Sequence, residues 1–198
     1  MTELQRLAAA AVFAGLTTGS VAAQGPGKPG DNPLAPGGNI VEVAVAASVA
    51  LDEFEYLFAA VDCLTDADGA NPIVAALTGS KRLTLFAPTD SAFEALQRRL
   101  GIDEPAPEKT CALEQETVAD VLTYHVVEGR RFSNSLFNAN EPKIVTMLNG
   151  ETIETRPGLT ITDAAGQSVG VVGAYANLNA SNGVIHVIDT VLVPFPLP

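Results

Sequence analysis

A chain of 198 residues has room for one domain and short flanking segments. Its 47% hydrophobic content can build a packed core and excludes a wholly disordered chain. With 23 acidic residues against 11 Lys and Arg, the net charge of -12 repels phosphate backbones and anionic lipid, so no nucleic-acid partner is expected. The adjacent basic pairs Lys81-Arg82, Arg98-Arg99 and Arg130-Arg131 read as scattered.

Residues 1–23 read as a signal peptide. Arg6 precedes an apolar run from Leu7 to Leu16, and Val21-Ala22-Ala23 fits a cleavage site before Gln24. That run is about half the ~20 residues a spanning helix needs, so no membrane insertion is expected after cleavage. The mature chain is expected to be secreted or periplasmic. Residues 24–38 are a Pro/Gly-rich linker with the composition of a semi-flexible spacer. In an oxidising compartment Cys63 and Cys111 are expected to form a disulfide, two buried thiols being the alternative. Their spacing is too wide for a C-x-x-C redox motif.

The folded region starts at Asn39, an N-cap with Glu42 three residues later, which predicts a helix over Ile40 to Ala47. A second helix presents Phe54, Leu57, Phe58, Val61 and Leu64 on one face. Asn71-Pro72 starts a third, from Ile73 to Leu77, which Gly79 closes. Leu83 to Ala87 is a buried strand, and Pro88-Thr89-Asp90-Ser91 turns the chain into a helix carrying Phe93, Leu96 and Leu100. A polar connection, Gly101 to Thr110, leads to a helix from about Leu113 to Tyr124. From Val126 the pattern is β-rich. Asn149-Gly150 predicts a hairpin between Lys143–Leu148 and Glu151–Thr155, with further strands at Leu159–Thr162, Ser168–Val172 and Val184–Val193. Helices first and strands later predict an α+β domain.

Three segments resemble the fasciclin (FAS1) family. Thr84-Leu85-Phe86-Ala87-Pro88-Thr89-Asp90-Ser91-Ala92-Phe93 is similar to its first signature block. Leu122-Thr123-Tyr124-His125-Val126-Val127 is similar to its Tyr-His motif, and Asn182 to Pro194 to its second block. Order and approximate spacing agree, and Asn39-Ile40-Val41 resembles the usual domain start. The resemblance covers 39–195, leaving 196–198 as a short tail. It implies a wedge-shaped sandwich of two β-sheets with several helices packed along it, and a secreted or surface adhesion module without a common catalytic activity. In animal relatives the Tyr-His motif and a following Asp-Ile pair are associated with integrin binding. The resemblance therefore marks Tyr124, His125, Asn177 and Leu178 as candidate binding residues, although Asn177 stands where the acid would be.

His125 and His186 are the only histidines, and both fall in apolar surroundings. A buried imidazole must satisfy both nitrogens or lose roughly 1–3 kcal/mol. Thr89, Asp90 and Asp189 are the expected partners, in a structural network joining the blocks. No metal site is expected, since the spacing suggests no third and fourth ligand. Gly166-Gln167-Ser168-Val169-Gly170 matches G-x-S-x-G literally, but the residues after it continue a strand rather than the helix a nucleophile elbow requires. Asp66 to Asn71 has the flavour of a calcium loop with its Gly misplaced, and reads as a polar turn. Asn179-Ala180-Ser181 is a formal glycosylation sequon.

These readings converge on an exported interaction module binding surface or matrix protein or glycan, with no cofactor and no catalysis. The alternative is an extracytoplasmic carrier of a small hydrophobic ligand.

Overall fold

Local chemistry places the helices. In the computed structural model, which describes residues 37–66, 68–137 and 141–197, the Asn39 side chain accepts from the Glu42 N–H at 3.1 Å. The Glu42 carboxylate returns the bond to the Asn39 N–H at 2.8 Å, closing a capping box. It starts α1 (Ile40–Leu51), which runs past the predicted stop at Ala47. The Ser48 hydroxyl donates back to the Val45 carbonyl at 2.9 Å, which satisfies it inside the helix. The predicted signal peptide and all but the last two residues of the linker lie outside the described residues.

Phe54, at φ 77° and almost wholly buried, leads into α2 (Glu55–Asp62). Asn71 caps α3 (Pro72–Thr78) through its Oδ1, while its Nδ2 donates to the Val61 carbonyl at 2.6 Å and ties α3 to α2. Before it, Asp66 Oδ1 accepts from the Asp68 and Ala70 N–H groups, the polar turn read from the sequence. Thr89 caps α4 (Asp90–Arg99), a 3-10 turn spans Pro107–Ala112, and α5 (Gln115–Tyr124) follows. Cys63 and Cys111 are joined in a disulfide with Cα atoms 5.3 Å apart, fastening the end of α2 to the 3-10 turn.

The remaining elements are β1 (Leu83–Pro88), β2 (Val126–Glu128), α6 (Ser133–Phe137), β3 (Lys143–Thr146), β4 (Thr152–Arg156), β5 (Thr160–Thr162), β6 (Ser168–Gly170), a second 3-10 turn (Gly173–Tyr175), β7 (Leu178–Ala180) and β8 (Gly183–Ile188). One sheet has the order β2-β1-β8-β7, with β1 and β8 parallel and Phe86 opposite His186. The other is the antiparallel meander β3-β4-β5-β6, opened by the Asn149-Gly150 turn as predicted. An isolated bridge between Val171 and Ile188 joins the two sheets.

Alternation along the central strands makes two cores. Leu83, Leu85, Ala87, Ile185 and Val187 pack against the helices. Phe86, Val127 and Ile188 face the second sheet, meeting Val145, Ile153, Ile161 and Val169. Both β1 and β8 are buried on both faces, which is why each reads as a continuous apolar run. The fold is α+β, two sheets with α1–α5 packed on the outer face of the first and α6 against β4.

Other elements also depart from the prediction. The last strand ends at Ile188, not Val193. Val191–Val193 stay buried as irregular chain because side-chain acceptors replace the ladder: Leu192 N–H donates to His125 Nε2 and Val193 N–H to Asp163 Oδ2, each at 3.0 Å. Helix α6 and strand β7 were not anticipated, being five and three residues long. Among the described residues no helix is long and apolar enough to cross a membrane.

Candidate functional site

The candidate residues of the three signature blocks meet where the helices and two sheets converge. Tyr124, the last residue of α5, is fully buried. Its hydroxyl donates to the Thr152 carbonyl at 2.8 Å and accepts from the Ala164 N–H at 2.9 Å, linking α5 to the second sheet. Burial pushes this phenol up to about 12, and nearby Asp163 and Glu151 act in the same direction. His125 follows and is buried as well. Its Nδ1–H donates to the Val121 carbonyl at 2.7 Å, and its Nε2 accepts from the Leu192 N–H, which sets the tautomer. Burial pulls its pKa down to about 4 against the opposing hydrogen bond to Val121, so the ring is neutral at pH 7.

His186 stands in β8 between the sheets with no exposure. Its Nε2–H donates to the Arg131 carbonyl at 2.8 Å, and its Nδ1 accepts from the Asn177 N–H at 3.3 Å. Phe86 stacks on it and Phe137 meets it edge-on. Burial lowers its pKa too. Asn177 adopts φ 68°, a left-handed conformation that asparagine tolerates better than most residues. Its Oδ1 accepts from the Ser133 N–H at 2.6 Å and its Nδ2 donates to Ser133 Oγ at 2.8 Å, so it clasps the start of α6. Leu178 is half-buried in β7.

The expected partners of the histidines are elsewhere. Every polar partner of the two imidazoles is a backbone group. Thr89 caps α4 and bonds Ser91. Asp90 Oδ1 accepts from the Tyr56 N–H at 3.0 Å at the start of α2, while its own N–H donates to Glu53. Burial raises the Asp90 pKa, with the backbone N–H groups of Tyr56, Glu55 and Phe54 opposing. Asp189 accepts from the Gly170 N–H at 2.8 Å, at the bridge between the sheets. Sequence reasoning missed Asp163, whose buried carboxylate accepts from Gln167 and from the Val193 N–H. The only signal for it was its place in the Asp163-Ala164-Ala165-Gly166 turn.

Tyr124 and His125 therefore lie inside the protein with their polar atoms satisfied, and neither side chain reaches a partner while the fold is closed. Ser168 is exposed at the start of β6, and the strand runs on through Gly170 instead of turning directly into a helix, so the G-x-S-x-G match lacks its elbow. Both histidines are spent on backbone groups elsewhere. Among the described residues no group of three or more His, Cys, Asp or Glu side chains is placed to hold a metal.

The sequence pattern of the fasciclin domain matches residues 59–194. Protein sll1483 of Synechocystis sp. is 33% identical over 157 residues, 78% of this chain and 73% of that protein. A second Synechocystis protein, sll1735, is 30% identical over 158 residues, 78% of this chain and 97% of that protein. In structure, the chain is similar to a FAS1 domain pair from the insect cell adhesion molecule fasciclin I, with a TM-score of 0.47 and 16% identity over 70% of this chain. It spans 45% of that pair. The chain belongs to the fasciclin domain family, whose domain is an extracellular module of the adhesion type.

Proposed function

We propose that this chain is an exported interaction module that binds a surface or matrix protein or glycan and catalyses nothing. The observation that carries the reading is the fate of the signature residues. Tyr124, His125 and His186, the groups best suited to chemistry, are buried and hydrogen-bonded to backbone. They hold the framework, and what remains for function is the surface that the framework supports. Family membership and the signal-like leader support a secreted or periplasmic compartment. A pull-down from the organism's own envelope and culture medium, with the folded chain as bait, tests the reading. Recovery of a surface protein or glycan absent from a mock bait is expected, and recovery of neither would count against it.

A second reading, a carrier of a small hydrophobic ligand, is favoured by one observation. An apolar cleft of about 110 Å³ lies between α4, α5 and the C-terminal segment, lined among others by Phe93, Leu96, Leu113, Val121 and Phe195. Native mass spectrometry separates the two readings, since a co-purifying apolar molecule supports the carrier.

A further inference from the structure

Pairing of β1 with β2 brings together charges that are far apart in the chain. Leu83 lies opposite Glu128, and the Gly129 N–H donates to the Arg82 carbonyl at 2.8 Å. Lys81-Arg82 and Arg130-Arg131 therefore flank the same end of one strand pair. Two basic pairs that read as scattered are neighbours, and they hold four of the chain's 11 Lys and Arg residues.

These cations meet little neutralisation. Lys81 is 3.4 Å from Glu128, in a pair exposed on both sides and worth little. Arg82, Arg130 and Arg131 form no ion pair among the described residues, in a protein with twice as many acids as bases. Arg130 is half-buried, bonded to Asn179 Oδ1 and the Ala180 carbonyl, and lies over the Phe132 ring at 5.7 Å. Arg131 donates from Nε to the Glu128 carbonyl at 3.0 Å and is otherwise exposed, as is Arg82. Neutral acceptors orient the Arg130 and Arg131 guanidinium groups while leaving their charge, and Arg82 is exposed beside them.

Beside Arg82 opens a polar crevice of about 590 Å³, bordered by Ser80, Ser181, Asn182 and Glu42. The hydroxyl residues Ser80 and Ser181 are exposed. The Glu42 carboxylate is engaged by the Asn39 N–H in the α1 cap.

We propose that this end of the β1–β2 pair binds an anionic polysaccharide, its uronate carboxylates on Arg82 and Arg131 and its hydroxyls in the adjoining crevice. The inference rests on the interaction-module reading and names its partner. A planar guanidinium takes a carboxylate through two parallel hydrogen bonds, which suits Arg better than Lys. Charge density selects the polymer. The remaining surface is strongly acidic, so a dense polyanion such as duplex DNA is repelled everywhere beyond the patch. A uronate polymer, with at most one charge per sugar, engages a few cations and leaves its neutral hydroxyls for the crevice.

Titration of the full chain with alginate oligosaccharides at about 50 mM and about 200 mM salt tests this. Neutral dextran, dextran sulfate, duplex DNA and phosphatidylserine vesicles serve as comparison probes. Expected are binding of alginate that weakens several-fold with salt, and at least tenfold weaker binding for Arg82→Ala/Arg131→Ala and for Arg82→Glu alone. Arg98→Ala/Arg99→Ala, on the far basic pair, should bind as the parent does. Undiminished binding by both patch variants, no alginate binding at low salt, or binding of any comparison probe as tight as alginate overturns the proposal. Cell attachment lost on deletion of the gene while alginate fails to bind would defeat this inference alone; unchanged attachment would defeat the interaction reading beneath it.

Discussion

The Phe86 ring stacks on the His186 imidazole, with centroids 5.5 Å apart and planes inclined by 27°. The Phe86 N–H also donates to the His125 carbonyl at 2.9 Å. One residue of the first signature block thus touches both histidines, and the three blocks close on one another around it.

Replacing His186 with Ala opens a cavity beside Phe86 and Phe137 and strips partners from the Arg131 carbonyl and the Asn177 N–H. A loss of about 2–4 kcal/mol is expected. Thermal and urea unfolding measure it. Partner binding by the fraction still folded should change less than stability does, and the reverse would show that His186 acts at a binding surface.

Acid should weaken the fold through the same rings. The folded pKa of His125 lies near 4, below its unfolded value of 6.5, so the unfolded chain takes up the proton first as pH falls. Stability is retained in full above about 6.5 and declines as pH falls toward 4, by about 3 kcal/mol in all. His186 acts in the same direction. Asp90, whose folded pKa is raised, works oppositely, since its carboxylate is the disfavoured form in the fold. Urea titrations at pH 7.5, 6 and 4.5 (about one step each across the window) should show a falling midpoint. A flat profile contradicts the buried neutral imidazole.

A good part of this structure was legible because its signals are local. The Asn39–Glu42 box, the Asn71-Pro72 start and the Asn149-Gly150 turn each lie within a few residues of what they determine. The apolar runs of β1 and β8 announced strands covered on both faces. The histidine partners were illegible for the opposite reason. Leu192 N–H is 67 residues from His125 and the Arg131 carbonyl 55 from His186, and a backbone group carries no sequence signature. Val191–Val193 had the pattern of burial, but apolar pattern does not say whether an N–H meets a strand or a side chain. The clustering of Lys81-Arg82 with Arg130-Arg131 likewise exists only once β1 pairs with β2.

Two glycines should respond differently to alanine. On Gly183 a Cβ would overlap the Leu83 carbonyl oxygen and Ile40 Cδ1, where parallel strands and α1 leave no room. On Gly170 it would overlap the Asp189 carboxylate, which can swing aside at the loss of one hydrogen bond to the Gly170 N–H. Gly183→Ala is expected to cost about 3 kcal/mol or more and Gly170→Ala about 1–2. Comparable melting temperatures for the two would contradict this packing of β8.

The disulfide closes a loop between positions 48 apart, which corresponds to about 4 kcal/mol in the chain-entropy description. Non-reducing peptide mapping should recover the Cys63 and Cys111 peptides as one species. Cys63→Ser/Cys111→Ser should lower the melting temperature and make it indifferent to reductant. Separate peptides from the oxidised protein would refute the link.

Attachment of the producing cells tests the central claim most directly. Deleting the gene should reduce attachment to a surface or to neighbouring cells, and a copy carrying Ser168→Ala should restore it as fully as the parent chain. Normal attachment after deletion, or rescue that requires Ser168, would contradict a module that binds through its surface and catalyses nothing.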